Sequence, residues 1–382
     1  MSEFSDRELA QKVGQLFIIG FPGAVEEAPE SVRQALADSE IGGVILFRRN
    51  VGDVDQVAAL AADIHQAARN APAPPFVAVD QEGGRVVRLE APLTPVPPMR
   101  ALGKAADLRD VARISQMMAE EIRELGFNLN FAPVIDVDTN PDNPVIGDRA
   151  FSDDPERVAR CGAGFMLGHH TAGVVPCVKH FPGHGDTVVD SHVDLPTIEH
   201  DRTRLDKIEL YPFERAVAAE APMIMTAHVQ IPALDPFYPA TMSPMIIDGI
   251  LRKEMGYDGV VVTDCLEMKA VADRFEIEEL VDRSLDAGVD LFLICHTEEK
   301  WKKAVRHLYE RAVEDDDVRA RVEESARRVL TLKEELLGHW PRPWSPAEDL
   351  HEFLGRADHL ALVEPYRTGE TANEDDPTRA PE

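Results

Sequence analysis

Short apolar runs recur eight times along the chain, separated by longer stretches in which apolar residues return at helical spacing. The runs are LFIIG (16–20), GVILF (43–47), FVAVD (76–80), FNLNFAP (127–133), VVPCVKH (174–180), MIMTAH (223–228), GVVVTD (259–264) and DLFLIC (290–295). All are of strand length and mostly β-branched or aromatic. Several are apolar on consecutive positions, as strands buried on both faces should be. The intervening pattern predicts helices at 30–38, 54–70, 107–126, 155–172, 204–221, 243–255, 276–287 and 298–313. In 107–126 the residues Leu108, Val111, Ile114, Met118, Ile122 and Leu125 fall at three- and four-residue steps, one face of a helix. Gly126, Gly173, Gly256 and Gly288 follow helices, where a C-cap needs a left-handed residue. Strand–helix units of roughly 30–40 residues, repeated eight times, predict a TIM-like (β/α)8 barrel, since an open doubly wound sheet rarely carries so many in one run.

Near Gly338 the pattern stops. HWPRPWSP (339–346) breaks any helix, DLHEFLGRADHLALVEPY (349–366) predicts one docked helix, and ETANEDDPTRAPE (370–382) has the polarity of disorder. The expected organisation is one barrel domain over 5–338 and a short C-terminal extension over 339–382, with no room for a second full domain.

Composition narrows the function classes. The formal charge is −29, from 69 acidic and 40 basic residues, and the last 40 residues hold only 10 of the acids. The negative charge is therefore spread over the body, and like-charge repulsion argues against nucleic acid and anionic membrane as partners. Basic residues are 30 Arg against 10 Lys, which fits either a surface adapted to high salt or an ordinary acidic protein. The N-terminus has acidic residues ahead of a short apolar stretch and no basic leader, so a cytoplasmic location is expected. Cys161, Cys177, Cys265 and Cys295 never approach a C-x-x-C spacing and read as reduced thiols.

Candidate chemistry sits at the strand ends, where a barrel of this kind places its active site. Asp80, Asn130, Asp136, Lys179, His180, His228, Asp264 and His296 lie at or just past strand ends, and charged groups there are costly to bury without a purpose. The densest segment, KHFPGHGDTVVDSHVDLP (179–196), puts Lys179, His180, His184, Asp186, Asp190 and His192 on one loop. Two readings of it compete. His180, His184 and His192 with an Asp could ligate a divalent metal, giving a metal-dependent barrel hydrolase. Alternatively Asp190 orients His192 as a proton donor, and Asp264 supplies a carboxylate on the other side. A carboxylate about 5 Å from a protonated acid is the arrangement of a retaining glycosidase.

The chain resembles glycoside hydrolase family 3, in its single-barrel β-N-acetylhexosaminidase branch. The resemblance runs from about residue 8 to 338 on five blocks: VDQEGGRVVRL (79–89), FNLNFAPVIDVDTNPDNPVIGDRAFSDDP (127–155), VKHFPGHGDTVVDSHVDLP (178–196), MIMTAHVQIPALDP (223–236) and GYDGVVVTDCLEMKAV (256–271). It implies that Asp264 is the nucleophile and that His192, held by Asp190, is the acid/base. It also implies that Asp80, Arg88, Arg149, Lys179 and His180 bind the sugar, while His184 and Asp186 shape the loop. The implied reaction is retaining hydrolysis of terminal β-linked N-acetylglucosamine without metal or cofactor, by a monomer engaged in cell-wall recycling. Phosphorolysis of the same bond and β-glucosidase activity are the alternatives within the family. Two features depart from its pattern. Cys265 stands where many members have a second aspartate, and a stub of some 40 residues replaces the C-terminal domain of larger members.

Overall fold

The eight apolar runs form eight parallel strands: β1 (Phe17–Ile19), β2 (Gly43–Ile45), β3 (Phe76–Val79), β4 (Leu129–Asn130), β5 (Val175–Phe181), β6 (Met223–Thr226), β7 (Val260–Cys265) and β8 (Leu291–Ile294). This is seen in a computed structural model that describes residues 4–188 and 195–367. The strands pair in sequence order, and β8 closes onto β1 by pairing Phe17 with Phe292 and Ile19 with Ile294. The result is the closed (β/α)8 barrel that the pattern predicts. Every residue of the eight strands is buried except Asp264, which is partly exposed.

Helices surround the barrel: α1 (Arg7–Gly14), α2 (Glu30–Asp38), α3 (Val54–Ala67), α4 (Met99–Ala105), α5 (Leu108–Glu124), α6 (Pro155–Ala172), α7 (Arg202–Lys207), α8 (Tyr211–Ala218), α9 (Lys269–Ala272), α10 (Ile277–Ala287), α11 (Glu298–Glu314) and α12 (Asp316–Leu337). A wider, π-type turn runs through Met245–Glu254. Part of the acidic composition is spent on helix starts. Asp6, Asp53, Asp107, Asp154, Asp201 and Asp315 each accept from a backbone N–H of the helix that follows, where the helix dipole also favours a negative charge.

Four expectations change. The strand over 127–133 shrinks to Leu129–Asn130: Pro133 has no N–H to donate, and Val77 N and Gln81 N donate to the side chains of Asn128 and Asn130 rather than to main-chain carbonyls. The helix over 204–221 is two helices, with Pro212 in the first turn of the second. α1, α4, the four-residue α9 and the 22-residue α12 were outside the predicted set. The docked C-terminal helix is also two short ones, α13 (Leu350–Phe353) and α14 (Ala357–Val363), broken at Gly355, which has φ 58°. This segment is fastened to α5: the buried Glu121 carboxylate accepts from Gly355 N (2.9 Å) and pairs with His359 Nδ1 (2.8 Å). Among the described residues no helix is long and apolar enough to cross a membrane.

α12 also closes the end of the barrel opposite the strand C-termini. Its Lys333 is fully buried and donates to Gln15 Oε1 (2.8 Å) and the Gly42 carbonyl (2.7 Å), with Nζ 4.4 Å from the Phe76 ring centre. The ring favours the ammonium form. Burial outweighs it and, with the charge of Arg342, pushes Lys333 down to about 7. In the unfolded chain this amine titrates near its ordinary 10.5, so between those two values the unfolded state holds the extra proton. The stability of the wild type relative to Lys333→Met should therefore rise with pH from 7 towards 10, by up to about 1.4 kcal/mol per pH unit. Urea unfolding of both proteins across that range checks it, and a pH-independent difference contradicts it.

Candidate active site

Charged side chains from three successive strand ends form one alternating chain at the mouth. Arg149 grips Glu82 with two nitrogens, Nε to Oε2 and Nη2 to Oε1, both at 2.8 Å. Lys179 Nζ lies 2.6 Å from Glu82 Oε1 and donates to Asp80 Oδ1 at 2.8 Å. Arg88 Nη2 stands 3.6 Å from the other oxygen of Asp80. Arg149, Glu82, Lys179 and Arg88 are buried, and Asp80 is the more exposed member, with 15% of its side chain open to solvent. The chain thus reaches the cleft at Asp80.

Burial alone would raise the Glu82 carboxyl, but Arg149 and Lys179 overcome it and hold the group far below the ordinary carboxylate range. Burial likewise opposes the charge on Lys179, and Asp80 with Glu82 raises it above its usual value. Both partners therefore stay ionised at neutral pH.

Local sequence explains how these groups meet. Gly83 and Gly84 have φ of 98° and 60°, and a Cβ on Gly84 would lie 2.8 Å from Pro98 Cα, so the turn after Glu82 requires glycine. The Gln81 side chain then accepts from the N–H groups of Arg88 and Leu89 and donates to the Leu89 carbonyl, bringing Arg88 back beside Asp80. On the loop after β4, Asn143 accepts from Val145 N and Ile146 N, and Arg149 Nη1 donates to the Val145 carbonyl (3.1 Å). These bonds aim Arg149 at Glu82.

His180 and Asp136 form a second buried unit next to this chain. His180 Nδ1 donates to Asp136 Oδ2 (2.7 Å), and His184 N donates to Oδ1 (2.7 Å). The Lys179–His180 peptide bond is cis. Burial raises the Asp136 carboxyl, but its two histidine neighbours more than reverse that. His184 is pushed down to about 4 by burial and by His180, and its Nδ1 pairs with Thr187 Oγ1 (2.8 Å).

Asp264 ends β7 on the same side of the barrel, and Cys265 N donates to its Oδ1 (2.7 Å). His228 steadies this strand end: Nε2 donates to the Cys265 carbonyl (3.0 Å) and Nδ1 pairs with Thr241 Oγ1 (2.9 Å). The buried thiol of Cys177 on β5 reports on the convergence. Burial pushes it up, Lys179 opposes, and the carboxylates of Asp80 and Asp264 both add to the rise. Cys265, in the place of a family aspartate, is buried beside Cys295 and contributes its backbone rather than a second carboxylate.

Of the residues singled out from sequence, Asp80, Arg88, Lys179 and His180 are brought together, and Arg149 joins them through Glu82. Asp264 stands at the same mouth. Asp190 and His192 lie outside the described residues. Asn130 does not face the cleft: its amide is bonded to both backbone groups of Gln81. His296 is an exposed rim residue whose ring stacks on Phe47, 5.8 Å between centres. Glu82, Gln81 and Asn143 were missed. Glu82 had a signal, a carboxylate directly before two glycines, just past the apolar strand β3. Among the described residues no three His, Cys, Asp or Glu side chains converge as a metal-binding group.

Comparison with known proteins places this geometry. Residues 8–332 match the family model described as the glycosyl hydrolase family 3 N terminal domain. A relative from Pseudoalteromonas piscicida named beta-hexosaminidase A is 39% identical over 290 residues, 71% of this chain and 48% of that protein. The chain thus spans about half the length of that relative. A beta-hexosaminidase from Thiobacillus denitrificans is 42% identical over 270 residues, 69% of this chain and 74% of the relative. A solved glycoside hydrolase family 3 beta-N-acetylglucosaminidase from Paenibacillus sp. str. FPU-7 superposes with a TM-score of 0.86 at 41% identity, covering 94% of this chain and 68% of that one.

Glu82→Gln should leave two buried cations without their shared anion and destabilise the fold by about 3–5 kcal/mol in urea unfolding at pH 7. The wild-type advantage should be full above the ordinary carboxyl value of 4.5 and shrink as pH falls below it. A loss under 1 kcal/mol would contradict the central place given to Glu82.

Proposed function

The chain belongs to glycosyl hydrolase family 3, and on that footing we propose that it is a retaining exo-β-N-acetylglucosaminidase. The observation that carries this reading is that Asp264, the strand residue left partly open, stands at the same end of the barrel as an ion chain that ends at the partly exposed Asp80. The names of the relatives, beta-hexosaminidase and beta-N-acetylglucosaminidase, support the substrate class.

In this account Asp264 attacks the anomeric carbon while His192, oriented by Asp190, protonates the departing oxygen. Water deprotonated by His192 then releases the sugar with retained configuration. Asp80 accepts from sugar hydroxyls, and Arg88, Arg149, Lys179 and His180 hold that acceptor in place or donate to the sugar. Because Lys179 and Arg88 already pair with Asp80, its carboxylate is held in position before substrate arrives. Such hydrogen bonds strengthen as positive charge grows on the ring, which is where pre-organised groups lower the barrier. A soluble cytoplasmic role in cell-wall recycling and a monomeric state accompany this proposal.

A panel of chromogenic β-glycosides tests it. N-acetylglucosaminides should be cleaved well ahead of glucosides, and Asp264→Ala should lower kcat by about 10⁴-fold or more, with azide restoring turnover as an α-glycosyl azide. Faster cleavage of glucosides overturns the substrate, and undiminished turnover in Asp264→Ala overturns the mechanism. Dominant sugar 1-phosphate formation in phosphate buffer would replace hydrolysis by phosphorolysis.

A further inference from the structure

The two described legs of the loop after β5 are fastened to different neighbours. On the first leg Asn143 Nδ2 donates to the carbonyls of His184 (2.9 Å) and Gly185 (3.0 Å), and Asn140 Nδ2 donates to the Thr187 carbonyl (3.1 Å). A Cβ on Gly185 would lie 1.8 Å from the Val137 carbonyl oxygen, so this leg lies hard against the loop after β4. The second leg is tied to the loop after β6: Gln230 N donates to the Pro196 carbonyl (2.8 Å) and Ile198 N to the Gln230 carbonyl (2.9 Å). A side-chain pair among the described residues joins leg to leg. His200 Nε2 donates to Asp186 Oδ2. The other oxygen of Asp186 accepts from Thr139 Oγ1 (2.7 Å), and Arg204 Nη2 lies 3.9 Å from it. Arg204 itself is held by the buried Glu209 at 3.1 Å. Asp186 and His200 are both under one-third exposed, and neither touches the ion chain around Glu82.

We propose that Asp186 and His200 are positioning residues for proton transfer, clasping the base of the loop so that Asp190 and His192 start from a fixed frame. The proposal rests on the reading of His192 as the acid/base. Without the clasp the first leg follows the loop after β4 and the second follows the loop after β6, with the longer Arg204–Asp186 contact (3.9 Å) left between them. A displacement near 1 Å of a group that must meet a leaving oxygen costs on the order of 10- to 100-fold in rate.

The test is the dependence of kcat/KM on the leaving group, using aryl and alkyl N-acetyl-β-glucosaminides. Dinitrophenyl glycosides depart without protonation, whereas alkyl glycosides need it. We expect His192→Ala to show a steep dependence, and Asp186→Asn and His200→Ala each to lose on the order of 10- to 100-fold on alkyl glycosides. On dinitrophenyl glycosides the same two variants should stay within about 3-fold of wild type, since the proton is not needed there. The double variant should be no worse than either single one, as two halves of one contact require. His200→Gln, which keeps an N–H donor, should recover part of the alkyl rate. Circular dichroism and the unfolding midpoint accompany each variant. A steep His192→Ala profile with parallel or absent losses in the Asp186 and His200 variants overturns the clasp alone. A flat His192→Ala profile overturns both the acid/base assignment and the clasp.

Discussion

The buried carboxylate of Glu82 is the constraint on which the mouth of the barrel depends. An isolated carboxylate taken out of water costs several kcal/mol, and it is retained here because Arg149 and Lys179 both reach it within 2.8 Å. Those partners come from the loop after β4 and the end of β5, while Glu82 follows β3. One anion therefore fixes three consecutive strand exits relative to one another. What remains of the charge on Lys179 goes to Asp80, and Arg88 completes the alternation. The same bonds that satisfy the buried charges leave one carboxylate at the cleft, held on two sides.

The opposite end of the barrel shows what a purely structural use of charge looks like. Asp290, fully buried before β8, accepts from Arg252, Arg321, Arg328, Ser325 Oγ and Val261 N. That anion is enclosed by its partners, and Lys333 is equally enclosed. At the mouth the ion chain is left open at Asp80, and Asp264 breaks the burial of β7. Groups poised to exchange a protein partner for a sugar hydroxyl belong where the enclosure is incomplete.

Much of this was legible in the sequence. Eight apolar runs with β-branched content have one economical closure, and the strand-end residues Asp80, Lys179, His180 and Asp264 stood out because charge at the end of an apolar strand needs a reason. Arg149 was legible only through its motif, since nothing in its own spacing says that it meets Glu82 from 67 residues away. Asn130 misled because a polar strand end can serve the neighbouring backbone as readily as a cleft. The helix over 204–221 failed at Pro212, whose place at a helix start carries no periodic signal. α12 carried a helical signal, Val318, Val322, Ala326, Val329 and Leu332 at three- and four-residue steps, but it follows the eighth strand–helix unit and so fell outside that repeat. His200 gave no sign of its pairing with Asp186, a contact made across a loop and invisible to local pattern.

The account stands or falls on Asp264 carrying the sugar between its two chemical steps. A fluorinated N-acetylglucosaminide that forms the covalent intermediate but releases it slowly, followed by peptide mass mapping, addresses this directly. The account predicts stoichiometric gain of one sugar mass on the peptide containing Asp264, with β-configured product on turnover of ordinary substrate. A label on any other residue, or α-configured product with no label at all, would contradict it.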